Sequence, residues 1–246
     1  MRTVFQTTFR EARGTLVPDL AGPQGPLPPL LLVLTLVSGL VDSFSYLVLG
    51  HVFVANMTGN VVFLAFSLAG ASGFSRIAAG LSLLSFVCGA AAGGRLALRV
   101  VSHRARLLLT SATVQVVLVL AAWVLSRVVD LPPRGGDRWA LIVLLGVAMG
   151  MQNAVVRRLA VPDLTTTVLT MTIVGIASDS RLAGGATSKS GRRLLSVLAL
   201  FAGALAGAAL VGHGHADLSL LIATAALAVV LAALFPQRRS ALAWTG

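Results

Sequence analysis

Eight apolar runs alternate with short polar breaks along the 246-residue chain, near residues 30–50, 57–72, 77–98, 107–129, 139–156, 164–178, 194–212 and 218–235. A helix needs about 20 predominantly apolar residues to cross the hydrocarbon of a bilayer. The runs near 57–72 and 164–178 fall short of that length, and they also carry the polar clusters. Asn56, Thr58 and Asn60 stand at the entry of the first, and Thr165, Thr166, Thr167, Thr170 and Thr172 lie along the second. Unpaired amides and hydroxyls are costly in hydrocarbon, so such clusters belong in a protein interior or beside a watery cavity.

Arginine placement decides whether the short runs cross. If all eight span with the N-terminus inside, Arg95, Arg99, Arg104, Arg106, Arg157 and Arg158 fall on the outer face, against the positive-inside rule. If the two short runs dip in and return, only Arg76, Arg127, Arg134 and Arg138 remain outside, and the other 15 of the 19 Lys and Arg residues gather inside. The expected fold is therefore an all-α polytopic membrane protein with six spanning helices plus two short re-entrant or broken segments; eight spanning helices is the alternative. The expected organisation is a flexible cytoplasmic tail over 1–26, a membrane repeat over 27–130, an extracytoplasmic loop over 131–138, a second repeat over 139–235 and a cytoplasmic tail over 236–246.

The division into repeats comes from ordered matches between the halves. Gly39-Leu-Val-Asp42 resembles Gly150-Met-Gln-Asn153 at an offset of 111 residues, Thr58 matches Thr170 at 112, and Gly89 and Gly93 match Gly203 and Gly207 at 114. Each match is weak in a chain with 25 glycines, so their common order carries the weight. With three crossings per half, the second repeat runs upside down relative to the first, a plan that places binding sites at broken helices near the bilayer midplane.

Composition agrees with this class. Hydrophobic residues make up 57% of the chain, 11% are charged and mean hydropathy is +0.91, outside the range of soluble domains. A net charge of +11 would point to nucleic acid in a soluble protein, but here the arginines flank apolar runs and read as orientation. Cys88, the single cysteine, excludes an internal disulfide and a Cys-based metal site.

Asp42 is the one acid well within an expected span and shares a helix face with Ser38 and Ser45. Intramembrane acids are functional candidates by default, so Asp42 reads as a proton or cation site, or else as a buried carboxyl bonded to Ser or Asn. Asn56, Thr58, Gly59 and Asn60 read as part of a substrate pathway, or as caps of the helix they precede. A helix N-terminus there would favour an anion, whereas Asp42 would favour a proton or cation, so the substrate's charge stays open. Gln152, Asn153, Thr166 and Thr170 extend the candidate pathway into the second half. Gly89, Gly93, Gly146, Gly150, Gly203 and Gly207 read as helix-packing positions that would also suit association with a second copy. His213, His215 and Asp217 read as a solvated loop. No metal site, cofactor motif, Walker loop or nucleophile elbow is present in the sequence, so an enzyme is not expected.

Gly39-Leu-Val-Asp42, Leu49-Gly-His-Val-Phe-Val-Ala-Asn-Met-Thr-Gly-Asn60, Gly150-Met-Gln-Asn153 with Arg157 and Arg158, and Thr165-Thr-Thr-Val-Leu-Thr170 together resemble the YoaK-like family of bacterial inner-membrane proteins. The resemblance covers about residues 30 to 235 and departs at Met171, where analogy with Gly59 leads one to expect glycine. It implies a multi-pass protein of the bacterial inner membrane and supplies no substrate. The residues themselves lead to a small secondary transporter or channel-like permease for a small polar solute or ion. The alternative is a non-transporting scaffold or assembly factor, closed inside and packed through its Gly-xxx-Gly faces.

Overall fold

The computed structural model describes residues 11–20, 22–100, 103–162, 164, 169–178, 190–240 and 242–245. Six long helices cross from one face to the other: α1 (Leu27–Val48), α3 (Arg76–Arg99), α4 (Arg104–Val128), α5 (Gly135–Leu159), α7 (Ser190–Gly212) and α8 (Ala216–Leu234). Two short ones, α2 (Met57–Leu68) and α6 (Leu169–Ser178), have 12 and 10 residues. At 1.5 Å per residue they reach only about 18 and 15 Å, against the ~30 Å of a bilayer core. The six long helices are apolar along their length and make the chain a multi-pass membrane protein.

Hydrogen bonds between loops place the ends of the six long helices on two opposite faces. On the face that bears the termini, Arg104 donates to the carbonyls of Pro23 (3.2 Å) and Leu159, Arg106 to that of Arg238 (2.8 Å) and Arg192 to that of Pro162 (3.2 Å). On the opposite face Arg138 donates to Leu49 O (2.7 Å), the His51 ring lies 3.2 Å from Gly73 O, and Arg127 pairs with Asp217 at 3.1 Å. His51 directly follows α1 and Gly73 directly precedes α3. The chain thus leaves α1 and enters α3 on one face, and α2 between them returns without crossing. Pro162 and Arg192 bracket α6 in the same way on the other face.

Two segments differ from expectation. Helix α5 begins at Gly135, inside the stretch 131–138 expected to be loop. The tail before α1 was expected to be flexible, but its described part is tied down: residues 11–16 are helical, and the Glu11 carboxylate accepts from Gly191 N at the start of α7 (3.2 Å). Residues 1–10 lie outside the described chain.

Small residues set the closest helix contacts. Helix α3 packs on α5 and α1 on α7, while α4 lies against α5 and α8. A Cβ on Gly150 would collide with the backbone of Phe86 and Ala90, and one on Gly39 with the backbone of Leu200 and Ala204. The offset of 111 carries Gly39 to Gly150, and the offset of 114 carries Phe86 and Ala90 to Leu200 and Ala204. The reciprocal contacts obey the same arithmetic: Gly89 and Gly93 face Val147 and Met151, as Gly203 and Gly207 face Leu36 and Leu40. Gly146 abuts the Ser85 hydroxyl. The closest glycine contacts of α1 on α7 and of α5 on α3 thus fall at corresponding positions of the two halves.

Gly150→Ala and Gly39→Ala should each lower thermal stability in detergent, by about 1–3 kcal/mol, the usual range for overpacking. Gly80→Ala, where a Cβ meets nothing within 4 Å, should be neutral or slightly stabilising.

Candidate functional site

Between α1 and α2 the backbone is not helical, and it lies inside the protein. Helix α1 ends in a tight turn where Gly50 takes φ +84, a left-handed conformation that costs a glycine little. Arg138 covers the exposed carbonyls of that helix end, donating to Leu49 O. The chain then runs back along α1 to the level of Asp42, almost two turns below the helix end, before α2 starts at Met57.

This return segment has amide groups with no ladder or helix to join, and hydrocarbon offers no water in their place. Side chains supply the partners. Asp42 Oδ1 accepts from Val54 N (2.9 Å) and Ala55 N (2.8 Å), and Oδ2 accepts from the Asn56 side-chain amide. Asn60 Oδ1 accepts from Phe53 N (2.9 Å), while its Nδ2 donates to Phe53 O (2.6 Å) and Ser82 Oγ (3.1 Å). Ser82 in turn donates to Phe53 O at 2.6 Å. Both Asp42 and Asn60 are buried. Asn56 stands at the N-cap position of α2 but makes no side-chain capping bond; its Nδ2 donates to Asp42 instead.

An aromatic stack runs from this region to the loop that precedes α3. Tyr46 stacks on Phe53 (ring centroids 4.9 Å), Phe53 on Phe63 (5.8 Å) and Phe63 on Phe74 (5.2 Å). Beside Asp42, and lined in part by Tyr46 and Phe53 of this stack, an open cavity of ≈ 1650 Å³ lies between the two halves. The first half contributes Asp42, Asn56 and Thr58 to its lining; the second contributes Asn153, Arg157 and Thr170. Arg157 and Arg158 sit in the last turn of α5, so the cavity extends toward the face that bears the termini.

Three residues expected along the pathway do not line this cavity. Asn60 is used up in clamping Phe53 and Ser82. Gly59 provides clearance for the Phe53 ring, which a Cβ would meet at 2.7 Å. Gln152 points between α5 and α1, donating to Ser38 Oγ (2.9 Å) and Leu34 O (3.3 Å), and its carbonyl oxygen is buried without a partner among the described residues. Thr166, with Thr165 and Thr167, lies outside the described residues. Arg157 also lines the cavity, although it is not among the site residues expected from the sequence. Its spacing of four residues from Asn153 was the available signal, as was that of Tyr46 from Asp42.

Replacing Asp42 with Ala leaves two buried N–H groups without an acceptor, and should cost about 2–5 kcal/mol of stability, read by thermal unfolding in detergent. Asp42→Asn alone should lose less, because its carbonyl oxygen can still accept from Val54 and Ala55 while its amide opposes that of Asn56. The double exchange D42N/N56D restores a donor–acceptor pair and should recover most of that loss. No recovery would mean that the Asn56 contact contributes little.

A family model described as "Protein of unknown function (DUF1275)" matches residues 30–233. Among curated proteins, the UPF0700 transmembrane protein YoaK of Bacillus subtilis (strain 168) is 32% identical over 152 residues, 61% of this chain. The match spans 65% of that relative's length, just under two thirds. No solved structure matches the chain.

Proposed function

We propose a function from two premises: this chain belongs to the DUF1275 family, and its two halves bound an open cavity that reaches the level of Asp42. The function is that of a small secondary transporter or channel-like permease for a small polar solute or ion. It has no enzymatic activity and needs no cofactor. Of the 15 Lys and Arg residues among those described, all but Arg76, Arg127, Arg134 and Arg138 belong to the face of Pro23 and Arg238, which supports a bacterial inner-membrane protein with both termini cytoplasmic.

One observation carries the reading. Asn56, Thr58, Asn153 and Thr170, drawn from both halves, all line the same cavity instead of filling a closed interior. A scaffold held together by internal polar bonds gains nothing from leaving such a volume unpacked, since interiors otherwise close to crystal-like density. In this reading Asp42 is the proton or cation site. Because the same carboxylate holds Val54 and Ala55, loading it would weaken the hold on the re-entrant segment and couple occupancy to movement.

The test uses Cys88→Ser as background, with Thr58→Cys, Thr170→Cys or, as a control on the opposite face, Ala71→Cys. A water-soluble, membrane-impermeant thiol reagent should label the first two in inside-out vesicles and the control in right-side-out vesicles. If neither Thr58→Cys nor Thr170→Cys reacts in either preparation, the interior is sealed and the permease reading fails.

A further inference from the structure

Among the described residues, the charged ones that line the cavity are Asp42, Arg157 and Arg158. They are not equivalent. Both oxygens of Asp42 already accept hydrogen bonds from Val54, Ala55 and Asn56, and the residue is 5% exposed. Arg157 and Arg158 are exposed, and neither is paired with an acid among the described residues. Three other arginines of the same face are engaged with backbone carbonyls, Arg104 with Leu159, Arg106 with Arg238 and Arg192 with Pro162, and Arg95 and Arg99 are not among the residues lining the cavity. Setting orientation in the membrane asks only that a cation lie on that face; it does not ask for two of them in the cavity.

The internal repeat sharpens the contrast. The offset of 111 that relates Asp42 to Asn153 relates Tyr46 and Leu47 to Arg157 and Arg158. All six line the cavity. The repeated framework therefore does not require guanidinium groups at these positions, and the first half builds the same helix without them. Much of the rest of the lining is apolar, including Phe86 and Leu98 from α3, Val156 from α5 and Leu200 from α7.

Resting on the permease reading, we propose that the cavity takes a small organic carboxylate, its charged end held by Arg157 and Arg158 and its apolar body against Phe86, Leu98 and Leu200. A guanidinium fork matches a carboxylate in two parallel hydrogen bonds, and its charge acts more strongly beside low-dielectric walls than in open water. A cationic solute would find Asp42 as the one acid among the described lining residues, and that carboxylate already holds Val54, Ala55 and Asn56 and, in the permease reading, serves the proton or coupling cation. A neutral solute would make no use of two guanidinium groups.

The probe is protection of a cysteine in the cavity. Purified protein carrying Cys88→Ser and Thr58→Cys is labelled with N-ethylmaleimide, a neutral reagent, in the presence of benzoate, acetate, chloride, benzamide or tetramethylammonium. Benzoate should slow labelling, and neither benzamide nor tetramethylammonium should. Arg157→Gln or Arg158→Gln should shift the benzoate concentration needed for protection upward by about tenfold, the size of one lost charge-assisted contact. Arg157→Lys should recover part of the shift, and each variant should elute as a single species and label at the parent rate without anion.

The proposal is overturned by equal protection from benzamide, tetramethylammonium or chloride, by no protection from either carboxylate, or by a benzoate response unchanged in both Gln variants. A Thr58→Cys that fails to react even without added anion would instead bring down the permease reading beneath it.

Discussion

Backbone that is not helical cannot stand unpartnered inside a bilayer, and the return segment before α2 meets this constraint through two side chains. Asp42 accepts from Val54 and Ala55, and Asn60 takes both the N–H and the carbonyl of Phe53. Because these partners exist, the chain can turn back below the surface and start a helix at the depth of Asp42. That start is what gives the cavity a polar inner end rather than a continuous apolar wall. The acid first visible as an isolated charge in an apolar helix is thus part of the architecture as well as of the candidate site.

The second requirement is close approach. Each half contributes a helix, α1 or α5, that packs on a glycine-bearing helix of the other half, α7 or α3. Backbone lies against backbone at Gly39 and Gly150, and again at Gly89 and Gly203. In a membrane, where apolar burial drives helices together only weakly, such contacts supply much of the association. They leave the cavity between two tightly packed pairs, so its walls belong to different halves.

Much of this could be read from the chain. The lengths of the runs at 57–72 and 164–178, together with the arginines near residue 99, pointed to segments that return, and α2 and α6 are too short to cross. The glycine offsets of 111 and 114 recur as equivalent backbone contacts. What was hidden has physical causes. The partners of Asp42 are mainly backbone amides, which carry no mark in a sequence. Gln152 and Asn153 are adjacent, but successive helical residues point about 100° apart, so one reaches α1 and the other the cavity. Arg157 and Arg158 fitted an orientation signal so well that nothing in the sequence demanded a second role.

The separation of contacts along the chain bears on how the protein is made. Helix α1 emerges from the ribosome first, yet its partner α7 comes last but one: the Ser43 hydroxyl waits for Ala204 O, 161 residues later, and Leu49 O waits 89 residues for Arg138. Asp42 does not wait. Its acceptors are filled from 12 to 14 residues downstream, within the same nascent hairpin. The costliest group in α1 is therefore shielded during translation, so the helix can remain in the lipid as a self-contained unit until the later helices arrive.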